Sequence, residues 1–274
     1  MFPPEIFCEI FSFLTLEARV LLACTQAHPI FTQLIGPSLF AHVFVHNNDA
    51  NDEDGRHLKL KPYQFSAVLT DNPRIVNYVR SLCVDLFRFH DDDRVLDDGA
   101  MKEITTILPG LKLERIQLTL SHGSSYWPSF PAAFHTAFVA CISTSLMKEI
   151  CLNKVYDIPL SSFAECAGLK RLALWFYANP PSDISCKFPH LEALELSSWQ
   201  IQMCYEFSSW LSTHACGLRS LKLIASKRHI IRVFLPRLLT ICATSLVNLS
   251  IYYISKPTYP VSRVVLTLSY YSKL

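Results

Sequence analysis

Residues 169–175 read LKRLALW, with leucines at positions 169, 172 and 174 and mostly polar residues between them. Alternation of this kind is typical of a short β-strand that buries one face, because successive side chains of a strand point to opposite sides. The same leucine spacing recurs at 191–196 and at 218–223. The sequence therefore predicts a series of short strands, each of which buries its leucines.

Looser copies of the pattern begin at Val79, Leu113, Met147 and Leu246. From Met147 onward the copies start 22, 22, 27 and 28 residues apart. These steps fall within the period of about 20–29 residues found in leucine-rich repeats, which stack because no single repeat can bury its own apolar face. Helically spaced residues such as Phe134 and Phe138 precede some strands. Region 79–274 thus resembles a leucine-rich-repeat array, and we expect an irregular α/β solenoid that is incomplete at its C-terminus.

The composition excludes several classes of protein. Half of the residues are hydrophobic and 18% are charged, so the chain can bury a core and is not a disordered chain. The seven glycines include no closely spaced pair, which excludes GxGxxG, a Walker loop and a GxSxG elbow. No nucleophile and base stand in a recognisable arrangement. We therefore expect no enzyme activity and no cofactor.

Ten cysteines are present, and none has CxxC spacing, so neither a zinc knuckle nor a redox motif is indicated. His42 and His46 have helical metal-ligand spacing but no evident third ligand, and we expect no metal site.

The chain has no apolar run of membrane-spanning length and no basic leader. We expect buried thiols in an intracellular protein of the cytoplasm or nucleus, without a membrane partner.

Charge is unevenly distributed along the chain. All 23 acidic residues lie at or before Glu206, and nine basic residues follow it. Such asymmetry indicates a polar partner surface, although a solvated basic face is an equally simple interpretation. Because the net charge is only +2 and the chain is apolar on average, nucleic acid is not the expected partner.

The first 45 residues predict three short helices. Pro3 and Pro4 precede Glu5, which suits a helix start, and Ile6 and Ile10 then begin an apolar stripe. A three-helix unit of this size has a marginal core and needs support from a partner or from the rest of the chain.

This N-terminal segment resembles an F-box over about 44 residues, roughly one sixth of the chain. The matching positions are Phe2, Pro3, Glu5, Ile6, Ile10, Leu14, Leu21, Leu22, Phe31, Leu34, Pro37 and Leu39. Two positions depart from the family pattern, since Phe2 replaces the opening leucine and Phe40 the later tryptophan. The expected organisation is an F-box at 1–45, a linker and irregular connection at 46–78, and the repeat-like solenoid at 79–274.

The resemblance implies a substrate-recognition subunit of a Skp–cullin–F-box ubiquitin ligase. By similarity, the Skp adaptor, and through it the cullin ligase, would be contacted by Phe2, Pro3, Glu5, Ile6, Glu9 and Ile10. An unknown protein substrate would bind the repeats. The alternative is a leucine-rich-repeat interaction scaffold without a ligase role, in which the N-terminal helices only cap the array.

The expected substrate face consists of polar and aromatic residues on or just after the predicted strands. These residues are Arg171, Trp175, Tyr177, Trp199, Arg219 and Lys222. Aromatic side chains beside arginines are typical anchors of protein interfaces. The competing interpretation is that they are ordinary solvated strand residues.

Overall fold

A computed structural model of the chain describes about three fifths of it. The described residues are 9, 18–27, 29–47, 58–86, 98–120, 125–156, 158–163, 165–175, 191–198, 217–225, 235–236, 239–240, 242, 245–253 and 266–269. The chain divides into two compact units. The first comprises Met1–His122 with Pro131–Cys141, and the second comprises Gly123–Phe130 with Ile142–Leu274.

The first unit contains helices packed beside four parallel strands. Its elements in chain order are α1 (Ala18–Ala27), α2 (Pro29–Leu39), β1 (His42–His46), β2 (Leu58–Leu60), α3 (Pro62–Asp71), β3 (Ser81–Leu86), α4 (Asp98–Ile107), β4 (Arg115–Leu120) and α5 (Ala132–Ile142). The strands lie in the order β2-β1-β3-β4. Short 3-10 turns at Pro73–Asn77 and Leu108–Gly110 follow α3 and α4.

The second unit is dominated by strands. Its elements are β5 (Ser125–Tyr126), β6 (Glu149–Asn153), β7 (Val155–Tyr156), β8 (Arg171–Trp175), β9 (Ala193–Ser198), β10 (Ser220–Ala225), β11 (Asn248–Tyr253) and β12 (Leu266–Ser269). Strands β6, β8, β9, β10 and β11 are parallel neighbours in that order, and β12 pairs with β11 in antiparallel fashion. The short strands β5 and β7 pair separately.

The predicted strands are present, and their leucines form the core. Leu172 of β8 lies opposite Leu194 of β9, and Leu194 lies opposite Leu221 of β10. All three side chains are at most 2% exposed, whereas the residues between the leucines are not fully buried in β8. In-register leucines give each strand the same buried face, so adding one strand extends the same apolar surface.

The predicted architecture, a three-helix F-box followed by an irregular leucine-rich-repeat-like solenoid, is wrong. The chain is an α/β protein with nine strands in parallel pairing, four in the first unit and five in the second. Only five α-helices have bounds within the described residues. Strand β1 begins at His42, inside the segment assigned to helices, because Val43 and Val45 alternate and are buried. Leucine spacing fixes the strands but does not specify a helix between them.

The turn before β8 contains a glycine, Gly168, at a position where a side chain would clash with neighbouring backbone atoms. A Cβ added at Gly168 would lie 2.7 Å from the Ser145 carbonyl oxygen and 3.0 Å from that of Met147. We expect Gly168→Ala to lower the free energy of unfolding by about 2 kcal/mol, because backbone atoms cannot move aside as a flexible side chain can. Urea denaturation followed by circular dichroism measures the change.

The matched control is Gly217, which stands directly before Leu218 as Gly168 stands before Leu169. None of the described atoms lies within 4 Å of a Cβ built at Gly217. Gly217→Ala should therefore be neutral or stabilise the chain by about 0.5 kcal/mol through a less flexible unfolded state. Equal losses in both variants would show that the close approach at Gly168 is not what constrains it.

Candidate protein-binding face

The second unit presents a polar and aromatic surface on the side of the strands that faces away from the leucines. Five of its residues lie in the central and carboxyl-terminal parts of the strands, and we call them the Lys222 face. They are Asn153 of β6, Trp175 of β8, Glu195 of β9, Lys222 of β10 and Tyr252 of β11. The alternation that buries the leucines thus places these side chains together on the opposite side.

Lys222 stands at the centre of this face. Its Nζ atom lies 5.7 Å from the centre of the Trp175 ring and 5.3 Å from the centre of the Tyr252 ring. Both distances fall within the range of about 6 Å over which an ammonium group is attracted to an aromatic ring. The two rings therefore hold the ammonium group between them and restrict the orientations of this flexible side chain.

Glu195 neutralises the lysine from the neighbouring strand. The two residues are direct register partners, and Lys222 Nζ lies 2.6 Å from Glu195 Oε1. The contact is an ion pair without the alignment of a hydrogen bond, since this buried oxygen has no hydrogen-bond partner among the described residues. The Glu195 side chain is 15% exposed and that of Lys222 is 35% exposed. The pair is sheltered enough that losing one member would leave the other poorly solvated.

Two polar atoms of the Lys222 face are buried without a hydrogen-bond partner in the described part of the chain. They are Trp175 Nε1, a donor, and Asn153 Oδ1, an acceptor. The two residues lie directly opposite each other on β8 and β6. Unsatisfied buried polar atoms are uncommon in folded proteins, so this neighbouring donor and acceptor are an unusual feature of the Lys222 face.

The other predicted substrate residues lie at the opposite ends of the strands. Arg171 Nε is 3.8 Å from Glu149 Oε1, so this arginine is engaged in an exposed ion pair. Arg219 directly precedes β10 and is exposed. The structure therefore brings Trp175 and Lys222 together and leaves Arg171 and Arg219 at a distance along the strands. Tyr177 and Trp199 lie outside the described residues.

The adaptor-binding prediction falls almost entirely outside the described part of the chain. Phe2, Pro3, Glu5, Ile6 and Ile10 are not described, and Glu9 is helical and exposed. Asn153, Glu195 and Tyr252 were not predicted. Repeat alignment contains a signal for all three of them. Glu195 and Lys222 both stand four residues after the first apolar residue of their copies, and Asn153, Trp175 and Tyr252 all stand six after.

The Lys222–Glu195 pair can be compared with an exposed pair of the same type. Lys170 Nζ lies 3.0 Å from Glu192 Oε1, and both of those side chains are about half exposed. In double-mutant cycles with Lys→Met and Glu→Gln, we expect a coupling energy of about 1–2 kcal/mol for Lys222–Glu195. We expect less than about 0.5 kcal/mol for Lys170–Glu192 because water screens it.

Urea denaturation of the four variants of each cycle gives both coupling energies. Coupling at Lys222–Glu195 that is no larger than at Lys170–Glu192 would mean that the strands do not shelter the first pair. Such a result would also weaken the view that the Lys222 face is preorganised.

No group of three or more histidine, cysteine, aspartate or glutamate side chains that could hold a metal ion occurs in the described ranges. The six described cysteines stand outside disulfides. Among the described helices, none has the length and apolar character needed to cross a membrane.

Comparison of the chain with protein-family models, with curated proteins and with solved structures found no match.

Proposed function

We propose that this chain is an intracellular substrate-recognition subunit of a Skp–cullin–F-box ubiquitin ligase. The Lys222 face would bind the protein substrate, and the F-box-like segment 2–45 would bind the Skp adaptor. The chain would carry out no chemistry itself. It would hold the substrate while the ligase to which it is attached transfers ubiquitin.

The observation that carries substrate binding is the placement of Lys222 between Trp175 and Tyr252. Aromatic residues are enriched among the anchors of protein interfaces, because they offer a large contact area with few rotatable bonds. Trp175 and Tyr252 are both half-buried, so part of each residue remains accessible to a partner.

The ligase role rests on the sequence of segment 2–45. Its ordered set of positions, from Phe2 and Pro3 to Leu39, resembles the F-box pattern. In the family that it resembles, this segment contacts the Skp adaptor.

A second candidate function is an interaction scaffold without a ligase role, and one observation favours it. The later part of the F-box-like segment is built into the first unit, where Phe40 is 1% exposed and Gly36 lies against the Tyr78 ring. The Ala41 carbonyl also accepts hydrogen bonds from the backbone N–H groups of Arg80 and Ser81. Such packing and hydrogen bonding are what a segment needs if its role is only to cap the end of the strands, as the scaffold function requires.

Calorimetry with a purified Skp adaptor distinguishes the two candidates. The full chain would be compared with the variant Pro3→Ala/Glu5→Lys/Ile6→Asp and with the control Asp71→Lys, which changes an exposed residue at the end of α3. We expect the parent and the control to bind alike, and the triple variant to bind at least about tenfold more weakly. A folded parent that does not bind the adaptor contradicts the ligase role and favours the scaffold.

The substrate face is tested separately with random peptides displayed on phage and selected on the full chain. Selected peptides should lose binding to Tyr252→Ala and keep binding to Tyr63→Ala, which truncates a tyrosine that is 59% exposed on α3. Peptides that bind both variants equally would place recognition elsewhere, whatever the outcome with the adaptor.

A further inference from the structure

A cleft of about 260 Å³ opens on the strands of the first unit. It lies on the side of β1, β3 and β4 that faces away from the buried residues Val43, Leu82 and Ile116. Its lining side chains include His42, Phe44, Ser81, Cys83, Arg115 and Gln117. The function proposed above makes no use of this cleft.

The register of the strands explains the shape of the cleft. Ser81 pairs with His42 on one side and with Arg115 on the other. Two residues further along, Cys83 pairs with Phe44 and with Gln117. Small side chains of β3 therefore form the floor, and longer side chains of β1 and β4 form the walls. The walls stand two strand spacings apart, about 10 Å between backbones.

One end of the cleft is suited to an anion. His42 and Arg115 flank the Ser81 hydroxyl, and the lining residues include no aspartate or glutamate. Arg115 supplies a permanent charge and N–H groups in a fixed geometry that matches phosphate and carboxylate oxygens. The nearby Glu114 carboxylate lies 4.0 Å from Arg80 Nε.

The other end of the cleft is suited to a flat apolar group. The Phe44 ring forms the wall beside the Cys83 thiol, and the Lys59 Nζ atom lies 5.9 Å from the centre of that ring. Across the cleft, Gln117 Nε2 donates a hydrogen bond to Thr119 Oγ1 at 3.2 Å, which orients the amide along its strand. Asp85 occupies the next outward position of β3.

We propose that this cleft binds a small aromatic anion. Its phosphate or carboxylate would lie between His42 and Arg115 above the Ser81 hydroxyl, and its ring would lie against Phe44 above Cys83. The volume is just below the range of about 300–1,000 Å³ typical of drug-sized ligands, so the occupant is a single ring with its anionic substituent. The ligand is a free small molecule, and its binding does not depend on the ligase role.

Cys83 offers a direct readout of occupancy, because its thiol is on the floor of the cleft and is half-buried outside any disulfide. The full chain would be treated with iodoacetamide with and without phenyl phosphate, and the alkylation of each cysteine would be followed by mass spectrometry. We expect saturating phenyl phosphate to slow alkylation of Cys83 at least about threefold and to leave that of Cys24 unchanged. Cys24 is a half-buried cysteine of α1 and serves as the internal control.

Two variants of the cleft, together with a calorimetric titration of phenyl phosphate, test which residues bind the ligand. Arg115→Ala should weaken phenyl phosphate binding about tenfold by removing the charged hydrogen-bond donors. Ser81→Leu should also abolish protection, because it fills the floor while Arg115 is retained. Inorganic phosphate at equal ionic strength should protect less than phenyl phosphate, since it lacks the ring.

Absence of binding heat and of Cys83 protection at millimolar phenyl phosphate would overturn the proposal. Equal protection in the parent and in Arg115→Ala, or equal slowing at Cys24, would also overturn it. A blocked phosphotyrosine tetrapeptide that binds about tenfold more tightly than phenyl phosphate would show that the occupant is a protein side chain and not a free small molecule.

Discussion

Phe65→Ala is expected to lower the free energy of unfolding by about 3–5 kcal/mol. Phe65 lies on α3, has 0% exposure and is among the largest fully buried side chains of the described residues. Helix α3 packs against α4, the 3-10 turn at Pro73–Asn77 and β1. Truncation removes the favourable burial of an aromatic ring and leaves a cavity that the surrounding elements can close only in part. The lost burial and the cavity each reduce stability.

Tyr63→Ala on the same helix provides the control for this prediction. Tyr63 is 59% exposed, and its truncation should change stability by less than about 0.5 kcal/mol. Urea denaturation of both variants, followed by far-ultraviolet circular dichroism, gives the comparison. If Phe65→Ala is as stable as Tyr63→Ala, then α3 is not packed on the first unit in the way described.

The strands could be predicted because a strand that buries one face has apolar residues at every second position of its sequence. Leu172 and Leu174 are buried with exposed or half-buried residues between them, and the same relation holds at Leu194 and Leu196. The spacing of the copies also predicted that consecutive strands are neighbours. What lies between the strands is not encoded by these leucines, so their spacing alone could not support a regular strand–helix repeat. Among the described residues, five α-helices have defined bounds.

The start of the sheet was missed although it carries the same signal. Residues 42–46 read HVFVH, and the two valines at 43 and 45 are buried. The segment is only five residues long and follows an apolar helix, so its alternation competed with a helical interpretation of the residues before it. Its pairing with β2 and β3 depends on residues distant in sequence, and local patterns do not reveal such partners.

In the Lys222 face, too, some residues could be predicted from the local sequence and others only from the pairing of distant strands. Trp175 and Lys222 were predicted because each is an aromatic or charged residue on a predicted strand, which is visible within a single copy of the pattern. Tyr252 and Glu195 become relevant only when the register places them around Lys222. A charged residue in a strand is usually solvated, and only the cross-strand neighbours show whether it is sheltered.

Cys141 is expected to react with iodoacetamide in the native chain about a thousandfold more slowly than an accessible thiol at pH 8. Cys141 is 1% exposed near the end of α5, and burial raises its pKa from 9.0 to about 12. The thiolate is the reacting species, and a rise of about three units lowers its share at pH 8 by about that factor. Mass spectrometry of the alkylated chain measures the rate, with the half-buried Cys24 as internal comparison.

The same shift predicts a loss of stability at alkaline pH. The unfolded chain ionises Cys141 near pH 9 while the folded chain keeps it protonated to about pH 12, so the free energy of unfolding falls as pH rises through this window. Between pH 8 and 10.5 this thiol alone should remove about 2 kcal/mol. Cys141→Ala would start from a lower stability because of its cavity but would lack the contribution of this thiol to the decline. Parallel pH profiles for the parent and Cys141→Ala would show that Cys141 ionises in the folded chain as readily as in the unfolded one, which would contradict its burial.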